Sequence, residues 1–423
     1  MPADYVKIRL SELRTGAQLR CPIYDGRADR NQLLLAAGAL LSTSQLDLLK
    51  RRGITQVLVH SAELEQVTGQ GNFARSTVRS SPLAVPRSPT ANSRSISASN
   101  QSPTPQTWKQ SPSSFLQALE RPKNLTRNIG MLRSFERTFE TSLNTTKHIF
   151  AEFARDQKIN TAVVTRIAEQ QLDQVVEDLD LHVSLSIQPV TEGYPSRHSL
   201  QMSMLAVSIG TIMGLTRVEL LELSNGCLLH DAGMMLVPRH ILEQTGSLNT
   251  ADRLEVLKHP LHIANALTRR NDISHNSKAT AYQIHERMNG SGYPRKRQHP
   301  QIHQFARIGA VADTYLAMIS PRNGRVGMSP YDAVEKLLYA TRINLFDPAV
   351  VRALLHVISL FPVGSVVTLS DGRTARVSRS NRARYDRPVV EILNDEAEYA
   401  GEVLDLTATP MLQIVGTGEL VAV

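Results

Sequence analysis

Leu229-His230-Asp231-Ala232-Gly233 and, further along, His285-Glu286-Arg287-Met288-Asn289-Gly290-Ser291-Gly292-Tyr293-Pro294 are the stretches on which the fold and chemistry of this chain turn. The His-Asp doublet closes an apolar run, Val218 to Leu229, that reads as a helix, and Gly233 follows it. His285 reads as part of a short helix that the Asn289-Gly290 turn ends. Residues of the same chemical kind stand on the neighbouring segments. His198 opens a helix whose apolar stripe includes Met202, Leu205, Ile209 and Ile212. His259 precedes Pro260, and proline suits the first turn of a helix. Asp313 lies at the edge of a stripe made by Ile302, Phe305, Gly309, Ala312, Leu316 and Ile319. The small Ala310 and Ala317 beside it leave room next to the carboxylate.

A single histidine at a helix end is usually a cap, and a single aspartate on a helix is usually solvated. The combination carries the argument. Imidazole and carboxylate without thiolate form the ligand set of a hydrolytic zinc, iron or manganese site. Ligands occurring singly on successive helices are how a helical bundle places a metal in its core.

The rest of the chain frames this block. It has 423 residues, which at roughly 150 per domain suggests about three domains. Hydrophobic residues make up 41% and charged residues 20%, enough for a sizeable core and incompatible with a wholly disordered or collagen-like chain. Two cysteines, Cys21 and Cys227, exclude a disulfide scaffold and a thiolate zinc finger, and point to a reducing compartment. The longest strongly apolar stretch, Leu33 to Leu41, is far short of the roughly 20 residues a membrane helix needs, and the N-terminus has no signal-peptide pattern. A soluble cytoplasmic protein is expected. The net charge is +8, but Arg75, Arg79, Arg87, Arg94 and Lys109 supply five of these charges in a stretch, Thr68 to Ser113, without Asp or Glu. The excess therefore makes no folded basic groove, and no dedicated nucleic-acid binding is expected.

Thr68 to Ser113 is rich in Ser, Pro and Thr and poor in large apolar residues, so it reads as a disordered linker. The expected layout is a small α/β module at 1–66, the linker at 67–113, a helical connector at 114–190, a helical domain at 191–361 and a small β-barrel-like module at 362–423. In the first module, strands are expected over Val6 to Leu13, Gln18 to Tyr24, Leu33 to Leu35 and Ile54 to His60, with a helix over Thr43 to Arg52. It has no titratable cluster, so binding or dimerisation is its expected work, and a homodimer is an expected assembly. Phe135 to Asp156 and Ile159 to Leu179 carry helical periodicity. After Phe361, short β-type runs follow at Ser365 to Leu369, Thr374 to Arg379, Pro388 to Leu393 and Met411 to Val415, with Asp371-Gly372 as a hairpin signal. The fold class is a multidomain, mainly α protein.

The residues of the helical block resemble the HD-GYP family. Leu229-His230-Asp231-Ala232-Gly233, His259-Pro260, the run His285 to Pro294 and Val311-Ala312-Asp313-Thr314-Tyr315 follow the family's order over about Thr191 to Leu360. The N-terminal block also looks like a segment that often precedes this domain. The resemblance implies an all-helical bundle that hydrolyses cyclic di-GMP at a centre of divalent transition metals: iron or manganese, with zinc as a further option, and one or two ions here. It implies His198, His230, Asp231 and Asp313 as ligands of a first metal, and Asp231, His259 and His285 as ligands of a second. His230 and Asp231 are the implied catalytic pair, with Asp231 bridging the metals. Arg322 and Arg325 match the basic pair that contacts the nucleotide phosphates. Gly292, Tyr293 and Pro294 would shape the guanine side of the pocket, with the Tyr293 ring available for stacking, and Glu286 would orient a neighbouring histidine. Cyclic di-GMP and other proteins of cyclic di-GMP signalling are the implied partners.

Three positions depart from the family pattern. Ile284 stands where a histidine is expected next to His285, Met234 where a lysine is expected to face phosphate, and Tyr194 where a glutamate would hold a third metal. They favour a competing reading, a catalytically impaired domain that senses cyclic di-GMP or docks partners. A related phosphohydrolase acting on another nucleotide is a further reading, against which the Gly292-Tyr293-Pro294 loop counts.

Overall fold

The computed structural model describes residues 5–17, 19, 21, 23–25, 33–35, 41, 43, 46, 49–50, 54–68, 114–117, 119, 128–244, 246–321, 326–381, 384–394 and 399–420. The protein is mostly helical, with one small sheet near each end of the chain. It divides into two compact units, Met1–Ala98 and Ser99–Val423.

In the first unit, β1 (Tyr5–Arg9), β2 (Ile23–Asp25), β3 (Leu33–Leu35) and β4 (Gln56–His60) form an antiparallel sheet in the order β1-β4-β2-β3. Val57 and Val59 on β4 are fully buried beside Ile8, Leu10 and Ile23. The strand expected over Gln18 to Tyr24 is found at Ile23–Asp25, and the first strand stops at Arg9, where Leu10–Glu12 turns into a 3-10 helix. The helix expected from Thr43 to Arg52 lies largely outside the described residues, as does the expected linker beyond Thr68.

The second unit is built around α1 (Ile129–Asp156), α2 (Thr161–Glu177), α3 (Leu179–Ser186), α4 (Ser196–Ile212), α5 (Arg217–Leu229), α6 (His259–Thr268), α7 (His275–Gln283), α8 (Gln304–Ile319), α9 (Pro330–Arg342) and α10 (Pro348–Ile358). Their starts follow from capping chemistry. Asn128, Asn160, Asp178 and Ser274 each accept a backbone N–H of the first turn, and Thr216 with Glu219 makes a capping box. Pro260, Pro330 and Pro348 sit in first turns, where a missing N–H costs nothing.

Helix α4 lies between two apolar cores. Met202, Leu205 and Ile209 face one, with residues of α8 and α10; Leu200 and Met204 face the other, with residues of α1 and α5. A helix buried on every side must satisfy its polar side chains internally. Ser203 exchanges hydrogen bonds with Gln171, whose Oε1 also accepts from Ser224 at 2.8 Å, and Gln201 donates to the carbonyls of Leu185 and Gln188. This rigid helix carries His198 near its first turn.

The chain closes with β5 (Ser365–Leu369), β6 (Thr374–Arg379), β7 (Val389–Leu393), β8 (Tyr399–Asp405) and β9 (Ile414–Leu420), an antiparallel sheet in the order β8-β7-β6-β5-β9. The Asp371-Gly372 hairpin forms, with Gly372 at φ +88°. Two differences from the sequence reading stand out. Tyr399–Asp405 is a strand the sequence did not announce, and the run expected at Met411 begins only at Ile414. Asp405 accepts the N–H groups of Thr407 and Ala408, and Thr409 that of Leu412, so the backbone turns through this stretch and leaves Met411 89% exposed. The sheet is fixed to the helices by Arg379, which bonds both oxygens of Asp178 at 2.7 and 2.6 Å while nearly fully buried. Among the described residues, no helix is long and apolar enough to cross a membrane.

Candidate metal centre

Four helix ends and one helix face converge. His198 lies in the first turn of α4, His230 caps the C-terminus of α5, and His259 is the first residue of α6. Asp231 follows at the head of the 3-10 turn Ala232–Leu236, and Asp313 comes from the middle of α8. His285 is placed differently from the sequence reading. Helix α7 ends at Gln283, and His285 stands in the turn just beyond. Gly233 brings the elements close: a Cβ there would lie 2.1 Å from the His259 carbonyl oxygen.

All six side chains are buried. Asp231 Oδ1 lies 3.4 Å from His230 Nε2, 3.3 Å from His259 Nε2 and 3.8 Å from His285 Nε2. Asp313 Oδ1 lies 2.9 Å from His198 Nε2 and 4.0 Å from His230 Nε2, and Asp313 Oδ2 lies 3.6 Å from His285 Nδ1. Two sets of donor atoms, His198 with His230 and Asp313, and His230 with Asp231 and His285, each fall within 4.8 Å of one another.

The tautomers are set by the backbone. His230 Nδ1 is 2.7 Å from the Cys227 carbonyl, and His259 Nδ1 is 2.8 Å from the Val256 carbonyl. A carbonyl only accepts, so each Nδ1 carries the hydrogen and each Nε2 turns a lone pair into the cluster. His230 Nε2 is buried and has no hydrogen-bond partner. His259 Nε2 is 2.9 Å from His285 Nε2, a contact that needs a proton on His285 or a shared cation. Burial pushes His230 down to about 4, keeping it neutral although both carboxylates pull the other way. Burial alone would also lower His285, but hydrogen bonds and charge from Asp231 and Asp313 outweigh it and raise the group to about 9. Burial opposes ionisation of Asp231 and Asp313, yet the surrounding imidazoles hold both well below the usual carboxylate range. Orphaned lone pairs, ionised carboxylates and donor separations of 2.9–4.0 Å suit atoms that share bonds of about 2.0–2.2 Å to one ion. The donor set fits a divalent transition metal.

The glycine-tyrosine loop supports this cluster from outside. A Cβ on Gly292 would lie 2.4 Å from Arg287 N and 2.5 Å from the His285 carbonyl oxygen, so only glycine lets the loop dock there. Tyr293 N donates to the same carbonyl at 3.1 Å, and the Tyr293 ring stacks on His285. That face of Tyr293 is occupied, which leaves the other face for the stacking expected from the sequence. Glu286 also has a different task from the one expected. Its two oxygens accept the N–H groups of Arg295 and Arg297, at 2.7 and 2.9 Å, so it braces the loop and not a histidine. Arg287 bonds the carbonyls of Ile284 and Glu286 and the Thr314 hydroxyl, tying the turn to α8.

These motifs agree with known proteins. Residues 164–350 match the family model described as the HD domain. The chain is similar to a cyclic di-GMP phosphodiesterase of Pseudomonas aeruginosa, 29% identical over 56% of this chain and 58% of the relative. It is also similar to the cyclic di-GMP phosphodiesterase PdeB of Borreliella burgdorferi, 24% identical over 54% of this chain and 59% of the relative. The chain thus spans under two thirds of the length of these relatives. Among solved structures, the HDG"Y"P protein Bd1817 of Bdellovibrio bacteriovorus aligns over 83% of this chain and 98% of its own, at 16% identity and a TM-score of 0.46.

Within the helical block, Ile284 is fully buried, in one core with Met202 and with its side chain against Gly309. Met234 packs with Val237 and Ile241 in a small apolar cluster. Arg322 and Arg325 lie outside the described residues. The sequence reading missed what Tyr194 does: its hydroxyl donates to Asp231 Oδ2 at 3.1 Å. A signal was present, because Gly193-Tyr194-Pro195 repeats the tripeptide Gly292-Tyr293-Pro294.

Proposed function

We propose that this protein hydrolyses a phosphodiester bond of cyclic di-GMP at a divalent-metal centre, as part of cytoplasmic second-messenger signalling. The observation that carries the reading is the convergence of His230, His259, His285, Asp231 and Asp313, with the buried His230 Nε2 left without a hydrogen-bond partner. The names of the two relatives support the substrate. His198, His230, Asp231 and Asp313 would hold one ion, and Asp231, His259 and His285 a second. When bound, a divalent transition metal lowers the pKa of water and neutralises charge on the phosphodiester. The backbone carbonyls of Cys227 and Val256 keep two imidazoles in the ligating tautomer, and the two carboxylates supply the negative charge that favours a cation. Tyr293 holds His285 in place by stacking. Arg322 and Arg325 would hold the phosphate through guanidinium forks. Water adds to phosphorus, one P–O bond breaks, and the ring opens to a phosphomonoester and a hydroxyl.

A second reading, a domain that binds the nucleotide or docks partners without turnover, is favoured by Ile284, an aliphatic side chain beside the ligand cluster. One experiment separates the two. The full chain is loaded with Mn2+ or Fe2+ and incubated with cyclic di-GMP, with Asp231→Asn and chelator-treated protein in parallel. Metal-dependent product that both controls lose supports hydrolysis. Nucleotide binding without product, at full metal content, establishes the second reading.

A further inference from the structure

The Gly193-Tyr194-Pro195 turn precedes α4 and is built into its first turn. Arg197 N donates to the Gly193 carbonyl and Ser199 N to the Pro195 carbonyl. Arg197 is held to α1 by Glu140 at 3.2 Å and lies over the Phe139 ring. Gly193 takes φ +77°, a conformation in which a side chain would be strained. The base of Tyr194 is therefore fixed. Its ring lies 5.9 Å from that of His198 at an angle of 52°. With Tyr194 37% exposed, the ring stands at the outer edge of the cluster while the hydroxyl reaches in to Asp231 Oδ2. The other oxygen, Oδ1, faces His230, His259 and His285.

We propose that Tyr194 is a positioning residue of the metal centre: its O–H occupies Oδ2 of Asp231 and leaves Oδ1 as the oxygen offered to the imidazole side. The inference rests on the metal-centre reading above. A carboxylate free at both oxygens can rotate or chelate. A hydrogen bond to one oxygen fixes its rotation and withdraws that oxygen from coordination. Groups that orient a ligand in this way typically contribute 10–100-fold to metal affinity or activity.

The test uses the full chain and Mn2+ alone, titrated against a chelating dye. Tyr194→Phe keeps the ring beside His198 and removes only the hydroxyl. The expected result is about 10–100-fold weaker Mn2+ binding with an unchanged far-ultraviolet circular dichroism spectrum. Equal Mn2+ affinity in variant and wild type overturns the proposal while leaving the metal centre standing. A wild type that binds neither Mn2+ nor Fe2+ overturns the metal-centre reading itself. A second measurement compares ferric-loaded wild type with Tyr194→Phe. A tyrosinate-to-iron charge-transfer band in the visible that the wild type shows and Tyr194→Phe loses would make Tyr194 a ligand and overturn its role as a donor to Asp231; a spectrum that Tyr194→Phe leaves unchanged supports the proposal.

Discussion

The rings of His285 and Tyr293 lie stacked, with centroids 4.8 Å apart and planes 7° from parallel. The loop glycine exists to permit this, because the backbone of Tyr293 must come within hydrogen-bond distance of the His285 carbonyl. Aromatic pairs of this kind contribute about 0.5–1.5 kcal/mol beyond their burial. Tyr293→Leu is expected to loosen His285 and lower kcat by about 10–100-fold, the range for losing a group that orients a ligand. Tyr293→Phe keeps the stacking and should stay near wild type. If the Phe variant falls as far as the Leu variant, the hydroxyl and not the stacked ring is what matters.

Glu286 is 1% exposed and gives one oxygen to each of two backbone N–H groups on either side of Lys296. Lys296 itself adopts φ +54°, which a residue with a side chain takes only when its neighbours hold it there. Glu286→Gln replaces one acceptor by an NH2 group facing an N–H. The expected loss is about 1.5–3 kcal/mol, the usual worth of a hydrogen bond to a charged group. Urea denaturation measures it, and trypsin should cut after Arg295 to Arg297 sooner than in wild type. Unchanged stability and cleavage would mean that the loop is held elsewhere.

Five of the six candidate ligand residues were legible in the sequence because they stand at or just beyond a helix end, where glycine, proline and apolar periodicity mark the boundary. His230 before Gly233 and His259 before Pro260 are examples. Asp313, in the middle of α8, was marked by its small neighbours Ala310 and Ala317. What Tyr194, Glu286 and Tyr293 do was not legible, since each acts through a contact with a residue set by tertiary packing, on Asp231, on two backbone amides and on one ring face. Helix α4 shows the same limit. Its serines and Gln201 blur the apolar stripe, and what holds Ser203, Gln201 and Ser208 inside is set by packing: Gln171, the Leu185 and Gln188 carbonyls, and the Met204 carbonyl. At the C-terminus, Met411 carries a β-type run that the Asp405 turn overrides.

His182 offers a pH test away from the metal ligands. It is fully buried on α3, with Nδ1 at 3.1 Å from Gln174 Oε1 and Nε2 without a hydrogen-bond partner, and burial lowers it to about 4. The folded state therefore binds the proton more weakly than the unfolded state, whose histidine titrates near 6.5. The resulting stability is present above pH 6.5 and is lost as the pH falls towards 4, by up to about 3 kcal/mol. His182→Leu should flatten the stability slope between pH 6.5 and 4 by that amount, at a constant cost for the stranded Gln174 amide. Urea denaturation of chelator-treated protein at several pH values reads the slope; parallel slopes in variant and wild type would refute the assignment.

Ile284 gives the sharpest test of the site, because packing and chemistry make opposite demands there. Its side chain is fully buried, and a Cβ on Gly309 would lie 2.9 Å from Ile284 Cγ1, so it fills the space against α8, in one core with Met202 of α4. An imidazole in that apolar space lacks a partner and should cost about 1–3 kcal/mol. Next to His285, the same imidazole could turn towards the ligand cluster and gain a cation. Ile284→His is therefore expected to lower the melting temperature of chelator-treated protein and to show a larger rise than wild type when Mn2+ is added. A ligand bound at 100 times its Kd contributes about 2.7 kcal/mol, enough to offset the unsatisfied group. Metal content per chain should rise with it, and cyclic di-GMP turnover should increase. If Mn2+ stabilises the variant no more than wild type, the new side chain stays in the core, and three protein ligands, Asp231, His259 and His285, are all this fold brings to the second position.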